Sequence, residues 1–371
     1  MNTFDSIRTV LYKKDHLKYH IARRIINESS LRGKAIIEFN DEDDLKIKIS
    51  EIRDKHKSKE VLILNEFMGR KFQKCPGSKN VICCNYYLLN TCFNCLYNCT
   101  YCFLNSYLNS YGIIQFVNLD DLGDLIGSFS RDTNRILRVG TGEFTDSLMF
   151  DEITGISSDL IGSVSSLKNV FLEFKTKSSA VDHLESIPVK GNTVLAWSVN
   201  TPKNIDLYEE GTSGIMERID AASNAQCWGY KTAFHFDPII RYDGFLEDYY
   251  KVIELMAEKL DPSKTAWISM GCFRYSPGFK DIIKHSFQRE KLTLDEMFQG
   301  KDGKYRYLAK ERADIFRRFR DKLEIYFPGV FIYLCMEDSD MWYNVFERDY
   351  GKSEDLENDF SNYLLEKFLT T

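Results

Sequence analysis

The chain has 371 residues, a length that suits one large domain with an extension or two unequal domains. Apolar residues make up 43% of it and charged residues 28%, which excludes wholesale disorder. The net charge of −6 excludes a generally basic surface, so contact with DNA or RNA would need a local basic face. No run approaches the ~20 apolar residues of a membrane span, and the start lacks a signal-peptide layout, so we expect a cytoplasmic protein without membrane contact.

The sequence pattern of residues 1–72 predicts a small N-terminal α/β extension. Helical spacing occurs over 15–27 and again over the charged segment 41–57. Short apolar runs at 35–39 and 61–65 are typical of strands. We therefore place the first domain boundary after residue 72.

The next segment holds an unusual concentration of cysteines. The ten cysteines stand at positions 75, 83, 84, 92, 95, 99, 102, 227, 272 and 335, and seven of them fall within 28 residues. Disulfides do not persist in the reducing cytosol, so this cluster indicates metal or redox chemistry.

Two kinds of metal site compete for the densest part of this segment. Zinc would take Cys92, Cys95, Cys99 and Cys102, but only three residues join the two pairs, which is cramped for a tetrahedral site. An iron–sulfur cluster would take Cys95, Cys99 and Cys102, leaving one iron of a [4Fe–4S] cube for a ligand from outside the protein. The spacing favours the iron–sulfur cluster.

The other cysteines of the segment leave two interpretations open. Cys75, Cys83, Cys84 and Cys92 could hold a second cluster, or they could be small buried side chains. No fourth-ligand spacing among them is convincing, so we favour burial.

Strand-like and helical segments alternate over most of the remaining chain. Seven apolar, β-branched or aromatic runs predict strands at 86–89, 135–139, 169–174, 193–199, 230–236, 265–270 and 330–334. Helical spacing between them, as at 119–129, 215–224 and 246–260, predicts an α/β fold with parallel strands covered by helices. The pattern suits a partial (β/α)6 barrel of the TIM type over 73–300, with its chemistry at the carboxyl ends of the strands.

The pattern of residues 301–371 predicts a C-terminal, mainly helical region. It consists of a long helix, a strand and an acidic tail. Its helix at 308–326 carries six basic residues: Lys310, Arg312, Arg317, Arg318, Arg320 and Lys322. Acidic residues interrupt this positive charge. A solvated helix face is therefore the favoured interpretation, and a nucleic-acid contact is the other one.

The cysteine loop resembles a known signature. Cys95-x3-Cys99-x2-Cys102, with Tyr101 before the third cysteine, resembles the motif of the radical S-adenosylmethionine (SAM) enzymes. Further motifs follow in the order in which the spore photoproduct lyase family and its lyase-like relatives have them: Gly142-Glu143-Phe144-Thr145-Asp146-Ser147, Phe171-Leu-Glu173-Phe-Lys-Thr-Lys177, Ala196-Trp-Ser198-Val-Asn200, Gly211-Thr212-Ser213 and Phe234-His235-Phe236-Asp237-Pro238. The resemblance covers about residues 72–340.

The resemblance implies a cofactor site built on a [4Fe–4S] cluster that SAM chelates. In it, Cys95, Cys99 and Cys102 would bind the cluster. SAM would be contacted by Glu143 at its ammonium, Lys177 at its carboxylate, Ser198 and Asn200 at its ribose and Tyr101 at its adenine. Arg218 is a weaker candidate for the carboxylate.

Three further residues are candidates for substrate contact. His235 and Asp237 flank Phe236 and should point to one side of the strand. A histidine on such a strand is equally well explained as a core residue with satisfied hydrogen bonds. Arg274 matches an arginine of the family's substrate pocket and could clamp a phosphate.

Two positions depart from the family pattern. The family's hydrogen-donating cysteine is replaced by Phe144, and the tyrosine after the third cluster cysteine is replaced by Phe103. Phenylalanine has no S–H or O–H to give, so hydrogen return is missing or relocated, with Cys272 and Tyr275 as candidates. We therefore expect a relative that acts on a substrate other than the thymine dimer of spores.

The functional hypothesis is a radical SAM lyase that forms a 5′-deoxyadenosyl radical and abstracts hydrogen from its substrate. Damaged DNA is the candidate substrate, a flavodoxin or ferredoxin is the candidate reductant, and we expect a monomer. The alternative is a zinc-dependent nucleic-acid-binding protein that uses the cysteine loop as a structural site and the 308–326 helix for phosphates.

Overall fold

The computed structural model describes residues 3–107, 110–133, 135–287 and 291–370. Its main sheet has eight strands in sequence order: β1 (Phe72–Lys74), β2 (Tyr87–Leu89), β3 (Leu137–Gly140), β4 (Val170–Thr176), β5 (Thr193–Ser198), β6 (Lys231–Ile239), β7 (Thr265–Cys272) and β8 (Phe331–Leu334). Strands β2 to β8 are parallel, and β1 pairs antiparallel with β2 at one edge. This curled, open sheet confirms the predicted partial barrel, and all seven predicted barrel strands belong to it.

Helices cover the sheet because the connections between parallel strands must cross from one end of the sheet to the other. The helices are His20–Ile26, Glu42–Ile52, Leu104–Tyr107, Leu122–Arg131, Asp151–Thr154, Ile156–Val164, Pro202–Tyr208, Ile215–Cys227, Phe245–Lys259, Phe279–Ser286, Ala309–Tyr326, Ser339–Phe346 and Ser353–Phe368. Strand β7 is buried along its whole length, which explains why apolar residues dominate it and polar residues do not alternate with them. Within the described residues, no helix is long and apolar enough to cross a bilayer.

A second sheet of five strands lies at the N-terminal end of the chain. Its order is Ala35–Glu38, Thr9–Tyr12, Val61–Asn65, Ile113–Phe116 and Cys92–Phe93. The last two strands come from beyond residue 72, so this sheet and the cysteine segment share strands. The division of the chain at residues 72 and 300 stays a prediction.

One predicted element of the N-terminal region is interrupted. The expected helix over 15–27 is a short 3-10 helix, Lys14–Lys18, followed by the α-helix His20–Ile26. Tyr19 between them has an extended backbone, and its hydroxyl donates to Glu66. His16 bonds the Leu64 carbonyl through Nδ1 at 3.1 Å. Tertiary contacts to the neighbouring segment therefore override the local helical pattern.

A short antiparallel sheet carries part of the barrel's C-terminal rim. It consists of Arg274–Tyr275, Phe298–Gln299 and Tyr305–Arg306, with Tyr305–Arg306 in the middle. Arg306 is buried and pairs with Asp302 at 2.6 Å and with Glu337 at 3.3 Å. This sheet holds Arg274 at the end of β7.

Candidate functional site

The cysteine loop follows β2 and is fixed to the segment that follows β5. Cys99 pairs with Glu209 in a two-residue antiparallel ladder. The Thr100 N–H donates to the Tyr208 carbonyl at 2.8 Å, and the Asn105 side chain donates to the Cys99 carbonyl at 3.1 Å. The loop therefore has a defined backbone at the carboxyl end of the barrel strands.

The three predicted cluster cysteines share one environment, in which Cys99 is buried and Cys95 and Cys102 are partly buried. Burial raises the pKa of Cys95 to about 12, and it also raises the pKa values of Cys99 and Cys102. The charge of Cys102 acts on both Cys95 and Cys99, so the three thiols lie in one region of the loop. Backbone N–H groups of Tyr97 and Leu104 stabilise the thiolates of Cys95 and Cys102. Such thiols need a metal to be held as thiolates, so the donor set fits an iron–sulfur cluster.

The same geometry does not support the zinc alternative. Within the described parts of the chain, no three His, Cys, Asp or Glu side chains converge on a position for a single metal ion. In a cube, each cysteine binds a different iron, so three sulfurs need not converge in this way. The fourth zinc ligand would be Cys92, but its buried thiol donates to the carbonyls of Phe93 at 3.7 Å and Asn94 at 3.9 Å.

Three of the predicted SAM contacts border the cysteine loop. Glu143 follows β3 and is half-buried, and its carboxylate has no hydrogen bond or ion pair to another described residue. Lys177 follows β4, and its ammonium lies 5.7 Å from the centroid of the Tyr101 ring. The charges of Glu143 and Lys177 both act on Cys102. An unpaired carboxylate and a lysine therefore stand beside the cluster cysteines.

A buried carboxylate that the sequence analysis missed organises this edge of the barrel. Glu209 accepts from the Tyr101 hydroxyl, from Asn200 Nδ2 at 3.2 Å and from Arg218 Nη2 at 2.5 Å. Burial would raise the pKa of Glu209, but the charges of Arg218 and Lys177 hold it below its usual value. No motif singled out Glu209, because its partners come from three separate segments.

Two of the side chains predicted to contact SAM belong to this hydrogen-bond network. Asn200 is 1% exposed, and its Oδ1 accepts from the Tyr249 hydroxyl at 2.7 Å and from Asn204 Nδ2 at 2.9 Å. Arg218, also 1% exposed, donates to the carbonyls of Ser198 and Ser213, both at 2.9 Å. Neither side chain is free for SAM in this arrangement, whereas the Ser198 hydroxyl carries no such bonds among the described residues.

Inside the barrel, His235 lies in a chain of hydrogen bonds. Its Nε2 is 2.7 Å from Glu173 Oε1, and its Nδ1 is 2.6 Å from Ser269 Oγ. Tyr86 also bonds Glu173, and its hydroxyl lies where a Cβ at Gly140 would stand, so only glycine fits there. His235 thus has the satisfied bonds of a core histidine, at a position that faces the barrel interior.

Glu173 yields a pH-dependent prediction. Burial would raise its pKa, but His235 and Lys175 lower it to about 2. Glu173 therefore stabilises the fold fully above its ordinary pKa of about 4.5, and this contribution is lost as pH falls towards 2. We expect Glu173→Gln to lower the free energy of unfolding by roughly 3 kcal/mol at pH 7 and by less than half of that at pH 3. Urea unfolding at both pH values checks this, and an equal loss at both would contradict it.

The two other substrate candidates form an ion pair at the barrel mouth. Arg274 donates to both oxygens of Asp237, at 2.9 and 3.1 Å, and to Cys335 Sγ at 3.6 Å. A Cβ at Gly271 would lie 2.7 Å from Asp237 and 2.8 Å from Arg274, so the glycine makes room for the pair. Asp237 thus occupies both donor groups of the Arg274 guanidinium, so Arg274 is not free to bind a phosphate as predicted.

The candidates for a relocated hydrogen relay are not brought to this mouth together. Cys272 is 1% exposed and alternates along β7 with Gly271, which faces Asp237, so the thiol points to the opposite face of the sheet. Tyr275 stacks between Phe279 and Tyr305, at centroid distances of 5.8 and 5.3 Å. This placement does not support a Cys272–Tyr275 relay.

The two residues that the sequence analysis predicted to depart from the family pattern lie in contact. Phe144 packs edge-on against Phe93 at 5.3 Å and against Phe103 at 6.4 Å, and it stacks on Tyr107 at 5.6 Å. Both phenylalanines therefore belong to one aromatic cluster beside the cysteine loop.

The basic C-terminal helix, Ala309–Tyr326, has few free charges. Ion pairs engage Arg312 with Glu337, Arg318 with Asp314, Arg320 with Asp321 and Lys322 with Glu254. Arg317 donates to the Asn344 carbonyl. The positive charge is largely neutralised within the protein, which favours the solvated or packed face over a nucleic-acid contact.

Comparison with known families agrees with the predicted family and with the fold. The family model described as spore photoproduct lyase matches residues 8–334. The chain belongs to the spore photoproduct lyase family. A spore photoproduct lyase of Geobacillus sp. (strain Y412MC61) is 27% identical over 223 residues, which are 58% of this chain and 65% of that protein. The enzyme of Bacillus subtilis (strain 168) is 28% identical over 166 residues, 43% of this chain and 48% of that protein.

Solved structures of the same family share the fold. A spore photoproduct lyase double mutant with bound AdoMet and dinucleoside spore photoproduct has a TM-score of 0.76 and 24% identity, covering 89% of this chain and 98% of that one. A spore photoproduct lyase complexed with dinucleoside spore photoproduct has a TM-score of 0.75 and 23% identity over the same shares. The chain aligns with just under two thirds of the length of the Geobacillus relative, whereas the structural match spans nearly the whole solved chain.

Proposed function

We propose that the protein is a radical SAM lyase that acts on a lesion in DNA. The observation that carries the proposal is the grouping of Cys95, Cys99 and Cys102 in one loop, beside the unpaired Glu143 and beside Lys177. A [4Fe–4S] cluster with bound SAM would supply a 5′-deoxyadenosyl radical, which abstracts a hydrogen atom from the substrate. Family membership and the solved relatives with bound AdoMet and photoproduct support the same reaction class.

Each side chain at this edge has a distinct task in the proposal. The Glu143 carboxylate accepts from the ammonium of SAM, and the Lys177 ammonium binds its carboxylate. Tyr101, held by Glu209, provides an aromatic face beside Lys177. The hydroxyl of Ser198 at the end of β5 is available to the ribose. Together these residues fix the orientation of SAM before any electron is transferred.

The substrate of the proposal is a DNA lesion other than the thymine dimer of spores. Phe144 and Phe103 supply no exchangeable hydrogen, and both pack in the aromatic cluster beside the cysteine loop. A flavodoxin or ferredoxin is the proposed reductant, and the proposed form is a cytoplasmic monomer.

The test is an anaerobic assay of the reconstituted protein with SAM and dithionite. Dinucleoside spore photoproduct and ultraviolet-irradiated DNA are offered in separate reactions, and mass spectrometry measures 5′-deoxyadenosine and repaired base. Repair of irradiated DNA without repair of the spore photoproduct is the expected result. Turnover of the spore photoproduct would contradict the expected change of substrate, and absence of 5′-deoxyadenosine in every reaction would overturn the radical SAM assignment.

A further inference from the structure

Lys175 is a cation in the barrel that no part of the proposed mechanism uses. It stands two residues after Glu173 on β4, so both side chains face the barrel interior. The Lys175 N–H donates to Ser147 Oγ, and its carbonyl accepts from the Ser147 N–H, both at 3.0 Å. A Cβ at Gly142 would lie 3.0 Å from the Lys175 Cβ, so the loop after β3 packs closely on this residue. The backbone of Lys175 is therefore fixed between two strand ends.

The Lys175 ammonium has no partner of its own. It forms no hydrogen bond and no ion pair with any residue in the described ranges. Burial would lower its pKa, but the carboxylates of Glu143, Glu173 and Asp237 raise it, so the group is charged at neutral pH. Glu173 is hydrogen-bonded to His235, and Asp237 is paired with Arg274, which leaves Glu143 as the one of these three carboxylates without a bonding partner among the described residues.

Binding of SAM at the proposed site would change the balance of charge around Lys175. If Glu143 binds the ammonium of SAM, the cation neutralises the carboxylate that compensates Lys175, and the lysine becomes an excess positive charge at the barrel mouth. An anion from the substrate can then pair with it at short range, where the low dielectric makes the interaction strong. Arg274 cannot take this role while Asp237 occupies both branches of its guanidinium.

We propose that Lys175 binds a backbone phosphate of the damaged nucleic acid, and that SAM at Glu143 strengthens this contact. The inference rests on the proposed function, since a phosphodiester is the anion that a DNA lesion carries. Lysine binds phosphate as a point charge and needs no planar geometry. The contact makes the protein prefer a lesion within a strand to the same lesion without its phosphate.

The test compares two ligands that differ only in the internucleotide phosphate. A cyclobutane thymine dimer, an ultraviolet lesion other than the spore photoproduct, is prepared as a dinucleotide and as a dinucleoside. Equilibrium binding of each is measured anaerobically with the oxidised cluster, so no turnover occurs. Wild type is expected to bind the dinucleotide about tenfold more tightly in the presence of SAM. Lys175→Met should bind the two ligands with about equal affinity, and its affinity for the dinucleoside should equal that of wild type.

Two comparisons separate the Lys175–phosphate contact from a nonspecific effect of removing one positive charge. Lys352→Met changes an exposed lysine that lines a surface cavity of about 600 Å3, and it should keep the tenfold preference. Without SAM, the wild-type preference should fall to a few-fold. Melting curves establish that Lys175→Met is folded.

The possible failures are distinguishable. Equal binding of both ligands by wild type, or a preference retained in Lys175→Met, overturns the Lys175 contact and leaves the proposed function standing. A preference that is independent of SAM overturns the coupling to Glu143. Failure of both ligands to bind wild type overturns the proposed substrate class together with the Lys175 contact.

Discussion

Replacing Cys99 with alanine is expected to remove the iron and, with it, all 5′-deoxyadenosine formation. A cube held by three cysteines loses a third of its protein ligands, and the iron corner that Cys99 held is left without its thiolate. The backbone ladder between Cys99 and Glu209 does not involve the thiol, so the fold should persist. Iron per chain, the visible absorption of the reconstituted protein and product formation measure the effect. Product should fall below detection.

Cys92→Ala is the matched control for this experiment. Cys92 lies three residues before Cys95, and its buried thiol bonds two backbone carbonyls of its own loop. Its removal should leave iron content and 5′-deoxyadenosine formation close to those of wild type. Full iron content in Cys99→Ala, or loss of iron in Cys92→Ala, would contradict the assignment of the three ligands.

The barrel could be predicted because parallel strands buried on both faces are continuous apolar runs. All seven such runs lie in the main sheet, and β7 extends only two residues beyond its predicted end at 270. The edge strand β1 was missed because Phe-Gln-Lys is not an apolar run, and the strand Cys92–Phe93 was missed because two residues carry no periodicity. The kink at Tyr19 was missed because it depends on Glu66, which is distant in sequence.

The location of the candidate site could also be predicted, but the partners of its side chains could not. Strand ends meet at one edge of a parallel sheet, which places Glu143, Lys177, Ser198 and Asp237 around one opening. The sequence does not show that Glu209 engages Asn200 and Arg218, since that depends on where the segment after β5 turns back. The sequence also does not show which face of β7 carries Cys272. Gly271 faces Asp237, so its neighbour Cys272 must face the other side of the sheet.

Glu209→Ala is expected to be the most destabilising single change at this edge of the barrel. It leaves Arg218 buried without its counter-charge and removes the acceptor of the Tyr101 hydroxyl. Breaking such a pair costs about 3–5 kcal/mol of unfolding free energy, because the remaining ion is not solvated. Chemical denaturation at pH 7 measures the loss. Since the Glu209 carboxylate holds Tyr101 within the cysteine loop, the variant should also bind less iron.

The neighbouring Glu210 separates this effect from a general loss of negative charge. Glu210 is exposed and accepts from the Asn98 side chain at 2.8 Å, so Glu210→Ala should change stability by no more than about 0.5 kcal/mol. A second comparison adds Arg218→Met to Glu209→Ala, which removes the unpaired ion and should recover part of the lost stability. If Glu209→Ala is no less stable than Glu210→Ala, the buried ion pair does not hold the cysteine loop. If the double variant recovers nothing, the cost arises from the hydrogen bonds to Tyr101 and Asn200 rather than from the orphaned charge.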